Sequence, residues 1–291
     1  MIATVSRRTA LSIALLTGAG LVTAACGAPS GSPADDHGDA SVDDHGDTAI
    51  THIHGLARDP KSDRVVIATH QGLFSLEEDG WSGGGQAIDL MGFAIAPDGS
   101  YLGSGHPGPG VDLPQPAGLV HSTDRGRTWQ TLSRGGESDF HALTAGPDFV
   151  MGFDGALRVT TDRKTWTDVA IPAPPHSLAA APGTGTVLAT TERGLLASSD
   201  RGRTWEQLAP PELLIVVAWA DDRTIVGAGV DGRLHTTRDG GATWSTGSTR
   251  IGQVVAVGAN VTPEDTVETL MVVGTQVLRS LDGGTTTEEL G

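Results

Sequence analysis

Short apolar segments alternate with clusters of glycine, aspartate, threonine and proline along residues 50–291. The unit at 174–213 shows the pattern best. Its apolar segments predict four strands, at 176–181, 186–190, 194–198 and 205–208. Strands this short, joined by tight turns, indicate an all-β fold. The pattern predicts no crossover helix of ten or more residues, which argues against a parallel βαβ sheet.

One eight-residue segment, which we call the octet, recurs along these residues. It reads STDRGRTW at 122–129, SSDRGRTW at 198–205 and TRDGGATW at 237–244. Degenerate copies end at Trp81 and Trp166, and a sixth copy at 280–287 has lost its tryptophan. Successive octet ends are 37 to 48 residues apart, a spacing typical of propeller blades with four strands each.

These repeats predict a six-bladed β-propeller of four-stranded antiparallel blades, in which each octet forms the turn between the third and fourth strands. The octet aspartate is expected to accept backbone N–H bonds, and the glycine to adopt a positive φ. Trp129, Trp205 and Trp244 are expected to be equivalent buried wedges between neighbouring sheets. The predicted blades are 50–86, 87–134, 135–173, 174–213, 214–249 and 250–291.

The octet resembles the Asp-box, or BNR repeat, of sialidases and many other β-propellers. The chain is also similar to a group of bacterial secreted propellers described as glycosyl hydrolase-like. More distantly, it resembles sialidases and the photosystem II assembly propellers. The resemblance implies the propeller fold, but the Asp-box itself carries no catalysis. The segments that carry the similarity to the secreted propellers are Thr51–Leu56, Ala68–Leu73, Ser104–Gly108 and Asp139–Leu143.

Histidines concentrate on one face of the predicted propeller. Since antiparallel strands reverse direction, the loops between second and third strands and those between blades lie opposite the octets; we call this side the top face. Neutral imidazole suits divalent Cu(II) and Zn(II), so the pattern predicts a divalent metal site at the mouth of the central channel. Its predicted ligands are His54, His70, His106 and His141, with His52 as a fifth member.

Carboxylates on the same face leave a glycoside hydrolase open as the alternative, since such enzymes use a pair of acidic residues. The candidates are Glu137, Asp139, Asp154, Glu192 and Asp231. A conventional sialidase is disfavoured, because that family uses a tyrosine nucleophile. The single tyrosine, Tyr101, falls in the second strand of blade 2, where it is misplaced for that role.

The N-terminal residues predict export and lipid anchoring. Arg7 and Arg8 precede an apolar run at 10–22, which is too short to span a bilayer and is typical of a signal peptide. The small residues before Cys26 resemble a bacterial lipoprotein box, which implies lipidation of that cysteine. We therefore predict a signal peptide at 1–25, a flexible acidic linker with histidines at 26–49, and a domain held at the extracytoplasmic face of the cell membrane.

A formal charge of -16 excludes nucleic acid as an expected partner, since phosphate contacts need clustered cations. We expect a monomer with one of three functions. The first is a binding module for a small ligand or a divalent metal at the top face. The second is a glycoside hydrolase, and the third is a scaffold for another protein.

Overall fold

The computed structural model describes residues 50–291, all of them arranged around six four-stranded antiparallel sheets. The predicted signal peptide, Cys26 and the acidic linker lie outside these residues. The strands follow one another in order within every sheet. The prediction of a six-bladed, all-β propeller is therefore confirmed. Over the described range, no helix has the length and apolar character needed to cross a bilayer.

Blades 1 to 3 hold strands β1 to β12. Blade 1 comprises β1 (Ile53–Arg58), β2 (Val65–Thr69), β3 (Gly72–Glu77) and β4 (Gly80–Gly83). Blade 2 comprises β5 (Ile88–Ile95), β6 (Tyr101–Pro107), β7 (Leu119–Ser122) and β8 (Gln130–Ser133). Blade 3 comprises β9 (Ala142–Ala145), β10 (Val150–Phe153), β11 (Leu157–Thr160) and β12 (Thr167–Asp168).

Blades 4 to 6 hold the remaining strands. Blade 4 comprises β13 (Pro175–Ala180), β14 (Val187–Thr191), β15 (Gly194–Ser198) and β16 (Glu206–Leu208). Blade 5 comprises β17 (Leu214–Trp219), β18 (Ile225–Gly229), β19 (Leu234–Thr237) and β20 (Ser245–Thr246). Blade 6 comprises β21 (Val254–Val261), β22 (Val267–Val273), β23 (Gln276–Ser280) and β24 (Glu288–Glu289). The four strands predicted in blade 4 agree with these bounds to within a residue or so.

The octets form the turns between third and fourth strands, as expected. In the octet of blade 4, Asp200 accepts hydrogen bonds from the Thr204 hydroxyl at 2.6 Å and the Thr204 N–H at 2.9 Å. These bonds lower the pKa of Asp200 to about 2, so the turn is held by an ionised carboxylate at neutral pH. Gly202 has a φ of 80°, and Arg201 before it also adopts a positive φ of 62°. The blade 2 octet repeats the same bonds at Asp124 and Thr128.

Six apolar clusters lie between the blades, one at each interface. Each of the first five octet tryptophans packs against the cluster between its own blade and the preceding one. The tryptophans of the three well-matched octets are not equally buried, however. Trp129 is 3% exposed, whereas Trp205 and Trp244 are only half-buried. The prediction that the three tryptophans are equally buried is therefore wrong. Trp205 and Trp244 lie next to the outer fourth strands, at the rim of the propeller, and keep part of their surface exposed.

Blades 1 and 6 close the ring without exchanging a strand, since each blade is a continuous segment of chain. Their interface is an apolar cluster that includes Ile67 and Leu270. Beside it, Arg58 makes a bidentate ion pair with Glu268, in which Nε and Nη2 each donate at 2.6 Å. The Glu268 side chain is 4% exposed and that of Arg58 is 19% exposed, so the carboxylate of this ion pair is buried at the closing interface.

Candidate functional site

The first strands of all six blades line a central cavity of about 340 Å³. In five blades the pairing of the first and second strands shifts by one residue at its start, which places a β-bulge at the top face. In blade 3 the equivalent residue immediately precedes β9. We call these the mouth positions. They are occupied by His54, Met91, His141, His176, Ile215 and Val255.

Two histidines of blade 1 and an aspartate of blade 2 meet at the mouth, and we call them the first trio. His54 Nε2 lies 3.6 Å from Asp89 Oδ1, and His70 Nε2 lies 3.7 Å from the same oxygen. One ligand atom from each of the three residues lies within 4.8 Å of the others. The trio therefore gathers two imidazoles and one carboxylate around a small volume, a donor set that suits divalent transition metals.

His52 packs against the first trio through its ring. Its ring stacks on His70 with centroids 4.7 Å apart, and His70 stacks in turn against His54 at 4.8 Å. His52 has a positive φ of 48°, a left-handed conformation that is uncommon away from glycine. The stack restricts the orientation of His70, which presents Nε2 toward Asp89.

The electrostatics of the first trio favour a neutral, unprotonated His54. Burial lowers the pKa of His54, and the neighbouring His70 and His52 add to this effect against the opposing influence of Asp89. His54 Nε2 and Asp89 Oδ1 are both buried and make no hydrogen bond. Two buried polar atoms that face each other at 3.6 Å without a hydrogen bond are costly unless something lies between them.

A second trio joins blades 2 and 3. His106 Nε2 lies 3.1 Å from Asp139 Oδ2, and His141 Nε2 lies 2.8 Å from the same oxygen. The side chains of His106 and His141 are 42% and 62% exposed, whereas that of Asp139 is 19% exposed. His106 Nδ1 and Asp139 Oδ1 are buried and have no hydrogen-bond partner.

The structure brings all five predicted metal-site histidines to the top face. His54 and His70 belong to the first trio, His106 and His141 belong to the second, and His52 stacks on His70 outside both trios. Asp89 is the ligand candidate that the sequence analysis missed. Asp139 was considered only as a catalytic carboxylate, and it contacts two of the predicted histidines instead. A signal for Asp89 does exist, because the segments that begin the first three blades align as HIHG, DLMG and DFHA. Asp89 and Asp139 take the same place in this alignment.

The other candidate carboxylates are separately engaged or exposed. Burial works against ionisation of Asp154, but hydrogen bonds from Ser138 and Arg158 outweigh it and lower the pKa of Asp154. Asp231 contacts His235 at 3.3 Å and Arg233 at 3.7 Å, and its pKa is also lowered. Both are therefore ionised at neutral pH and unsuited to donate a proton. Glu137 lies 3.4 Å from Arg134, and Glu192 is exposed.

Tyr101 lies at the octet end of β6, where it pairs with Ser122 at the start of an octet. Its side chain is 2% exposed and packs edge-on against Phe93. Burial raises the pKa of the phenol, so it remains protonated. At this buried position, on the octet side of the blade, Tyr101 cannot serve as a nucleophile at the top face.

No protein-family model and no curated protein sequence matches the chain. Among solved structures, a gluconolactonase of Xanthomonas campestris is similar with a TM-score of 0.61 and 13% identity, over 79% of this chain and 86% of that one. A virginiamycin B lyase of Staphylococcus aureus has a TM-score of 0.56 and 12% identity, over 82% and 84%. YCF48 of Cyanidioschyzon merolae has a TM-score of 0.52 and 16% identity, over 82% and 84%. At these identities the likeness shows the β-propeller fold alone.

Proposed function

We propose that the protein is a membrane-anchored extracytoplasmic β-propeller that binds a divalent transition metal at the mouth of its channel, through His54, His70 and Asp89. The observation that carries this proposal is the pair of 3.6 and 3.7 Å separations between the two imidazole nitrogens and one carboxylate oxygen. Normal N–H···O hydrogen bonds are about 2.7–3.2 Å long, so both separations are too long for hydrogen bonding.

The same separations suit a bound ion. Zinc–ligand bonds of about 2.0–2.2 Å in a tetrahedral site place neighbouring ligand atoms roughly 3.3–3.6 Å apart. The rings of His54 and His70 stack with centroids 4.8 Å apart, so their nitrogens must shift to complete the site, and the exposed side chain of His70 has room for this shift. Cu(II) and Zn(II) are the preferred ions, because imidazole with carboxylate is a borderline donor set.

The alternative functions receive less support. A glycoside hydrolase needs one carboxyl group that is protonated when substrate arrives. Asp154 and Asp231 are ionised and engaged with arginine or histidine, and Asp139 is shared by two histidines. A scaffold that binds another protein through the top face is compatible with metal binding but has no specific contact to support it.

Calorimetric titration with Zn(II) and Cu(II) tests the metal proposal. The full chain, purified in detergent, should carry His37→Ala and His45→Ala so that the linker histidines do not bind metal. We expect Asp89→Asn to weaken binding by about 100-fold or more, since even the loss of a second-shell partner costs 10–100-fold. His121→Gln, which changes a half-buried histidine of β7 outside both trios, should leave the affinity unchanged. Equal affinity in the parent and in Asp89→Asn would contradict the proposal.

The membrane anchor is a separate part of the proposal and rests on the sequence around Cys26. We expect Cys26→Ala to move the protein from the membrane fraction to the soluble fraction, because acyl chains supply about 0.8 kcal/mol per buried CH₂ group. Fractionation after a high-salt wash, followed by immunoblotting, measures this. Retention of the variant in washed membranes would show that lipidation is not the anchor.

A further inference from the structure

The first trio supplies three ligands, whereas a tetrahedral ion takes four. A zinc site with three protein ligands leaves its fourth position to water or to another donor. Within residues 50–291, His54, His70 and Asp89 are the one group of three or more metal-ligating side chains with donor atoms within 4.8 Å of one another. The fourth donor is then a water molecule, an added ligand or a side chain from before residue 50.

The chain enters the propeller beside this site. The Thr51 N–H donates to Gln71 Oε1 at 3.3 Å, and Gln71 Nε2 donates to the Thr51 hydroxyl at 2.5 Å. Gln71 directly follows His70 in the turn between β2 and β3. His52, the residue after Thr51, stacks on the His70 ring. The point from which the preceding chain starts is therefore fixed next to the first trio.

The sequence before this point carries two copies of one histidine motif. The segment DDHGD occurs at 35–39 and again at 43–47, with His37 and His45 as the central donors. His45 is six residues from Thr51, whereas His37 is fourteen residues from it. Six residues of extended chain span about 20 Å, which is ample for a return to the adjacent His70 turn. A shorter loop costs less entropy to close, so His45 is better placed than His37.

Charge makes this contact dependent on the metal. Residues 27–49 contain six aspartates and no lysine or arginine. Without an ion, the carboxylate of Asp89 repels such an acidic segment. A divalent cation held by one carboxylate and two neutral imidazoles leaves the site with a net positive charge, which attracts the segment. The His70 side chain is 41% exposed, so the site is open to solvent on the side of Thr51.

We propose that His45 is the fourth ligand of the ion held by His54, His70 and Asp89, so that metal binding draws residues 43–47 onto the channel mouth. This inference rests on the proposed function of the first trio. The His45 imidazole replaces a water molecule on the ion. A short tether presents this imidazole at an effective concentration in the millimolar range, which raises the affinity without any change in the trio.

Affinity for Zn(II) in the full chain, purified in detergent, tests this inference. The double variant His37→Ala/His45→Ala keeps the trio alone and serves as the reference. His37→Ala, which retains His45, should bind at least about 10-fold more tightly than the reference. His45→Ala is the matched control, because it retains the same motif farther from the site. Its gain over the reference should be roughly 3- to 4-fold smaller, since effective concentration falls with about the −3/2 power of tether length.

Electron paramagnetic resonance of the Cu(II)-loaded proteins counts the coordinating nitrogens directly. We expect three nitrogens in His37→Ala and two in the double variant, with one equivalent of copper bound in each. Two nitrogens in both proteins would assign the fourth position to water or to an added ligand and overturn the inference. A second equivalent that persists in Asp89→Asn with the linker histidines intact would place His45 in a separate linker site and also overturn it.

The outcomes separate this inference from the proposed function. Binding by the double variant that is lost on adding Asp89→Asn supports the first trio, whatever the linker contributes. Equal affinity in His37→Ala and in the double variant then overturns the role of His45 alone. Binding that requires His45 and is unchanged by Asp89→Asn overturns both proposals, because the metal is then held by the linker without the propeller.

Discussion

Replacing Trp129 with alanine is expected to destabilise the propeller by about 3–5 kcal/mol, as for other fully buried aromatic side chains. Its indole is 3% exposed and packs against Val66, Leu90 and Tyr101 between blades 1 and 2. Truncation leaves a cavity that closely packed strands cannot fill, because Gly103 beside the indole has no side chain to move into it. Denaturant unfolding measures the loss.

The half-buried Trp205 is the matched comparison, since it takes the same place in its own octet. Trp205→Ala should cost clearly less than Trp129→Ala, because its indole retains solvent contact and loses one hydrogen bond to the Ala170 carbonyl at 3.0 Å. Trp129→Phe should recover much of the stability, since the Trp129 N–H is buried without a partner and its removal breaks no hydrogen bond. If Trp129→Ala and Trp205→Ala lose the same free energy of unfolding, the position within the octet, and not the burial of the indole, determines the loss.

The fold was predictable because each blade repeats the same kind of turn between its third and fourth strands. The octet combines an aspartate that accepts local N–H bonds with a glycine that must adopt a positive φ, and these requirements show directly in the sequence. Burial was less predictable. The octets place Trp129 and Trp205 identically along the chain, but the depth of each indole depends on how far the neighbouring blade extends over it, which no local pattern encodes.

The sequence predicts which face of the propeller carries the candidate site, but it does not predict which side chains contact each other there. Strand alternation and antiparallel connection assign His54, His70, His106 and His141 to the top face. They do not reveal that the histidine of one blade meets the aspartate of the next, since this depends on the twist and spacing between sheets. Asp89 was missed because it lies within the apolar segment IDLMGF, where a strand pattern predicts core rather than a ligand.

Breaking the ion pair between Arg58 and Glu268 is expected to destabilise the ring at its closing interface. Removing one partner of a buried pair costs about 3–5 kcal/mol. We expect a value of about 2–3 kcal/mol for Glu268→Ala, because Arg58 is 19% exposed and keeps its hydrogen bond to the Asp63 carbonyl. Within residues 50–291 the interface between blades 1 and 6 joins the first and last blades, so noncovalent contacts hold it closed.

Denaturant unfolding and native-state hydrogen exchange measure this effect. Exchange should rise most in β1, β2 and β22, since local opening at the closing interface exposes these strands first. Asp148→Ala is the matched control, because it removes an exposed ion pair with Arg201 between blades 3 and 4, and exposed pairs contribute about 1 kcal/mol or less. Arg58→Met combined with Glu268→Leu should be more stable than Glu268→Ala, since no buried charge is left unpaired. A uniform rise in exchange over all six blades would contradict a ring that opens at this interface.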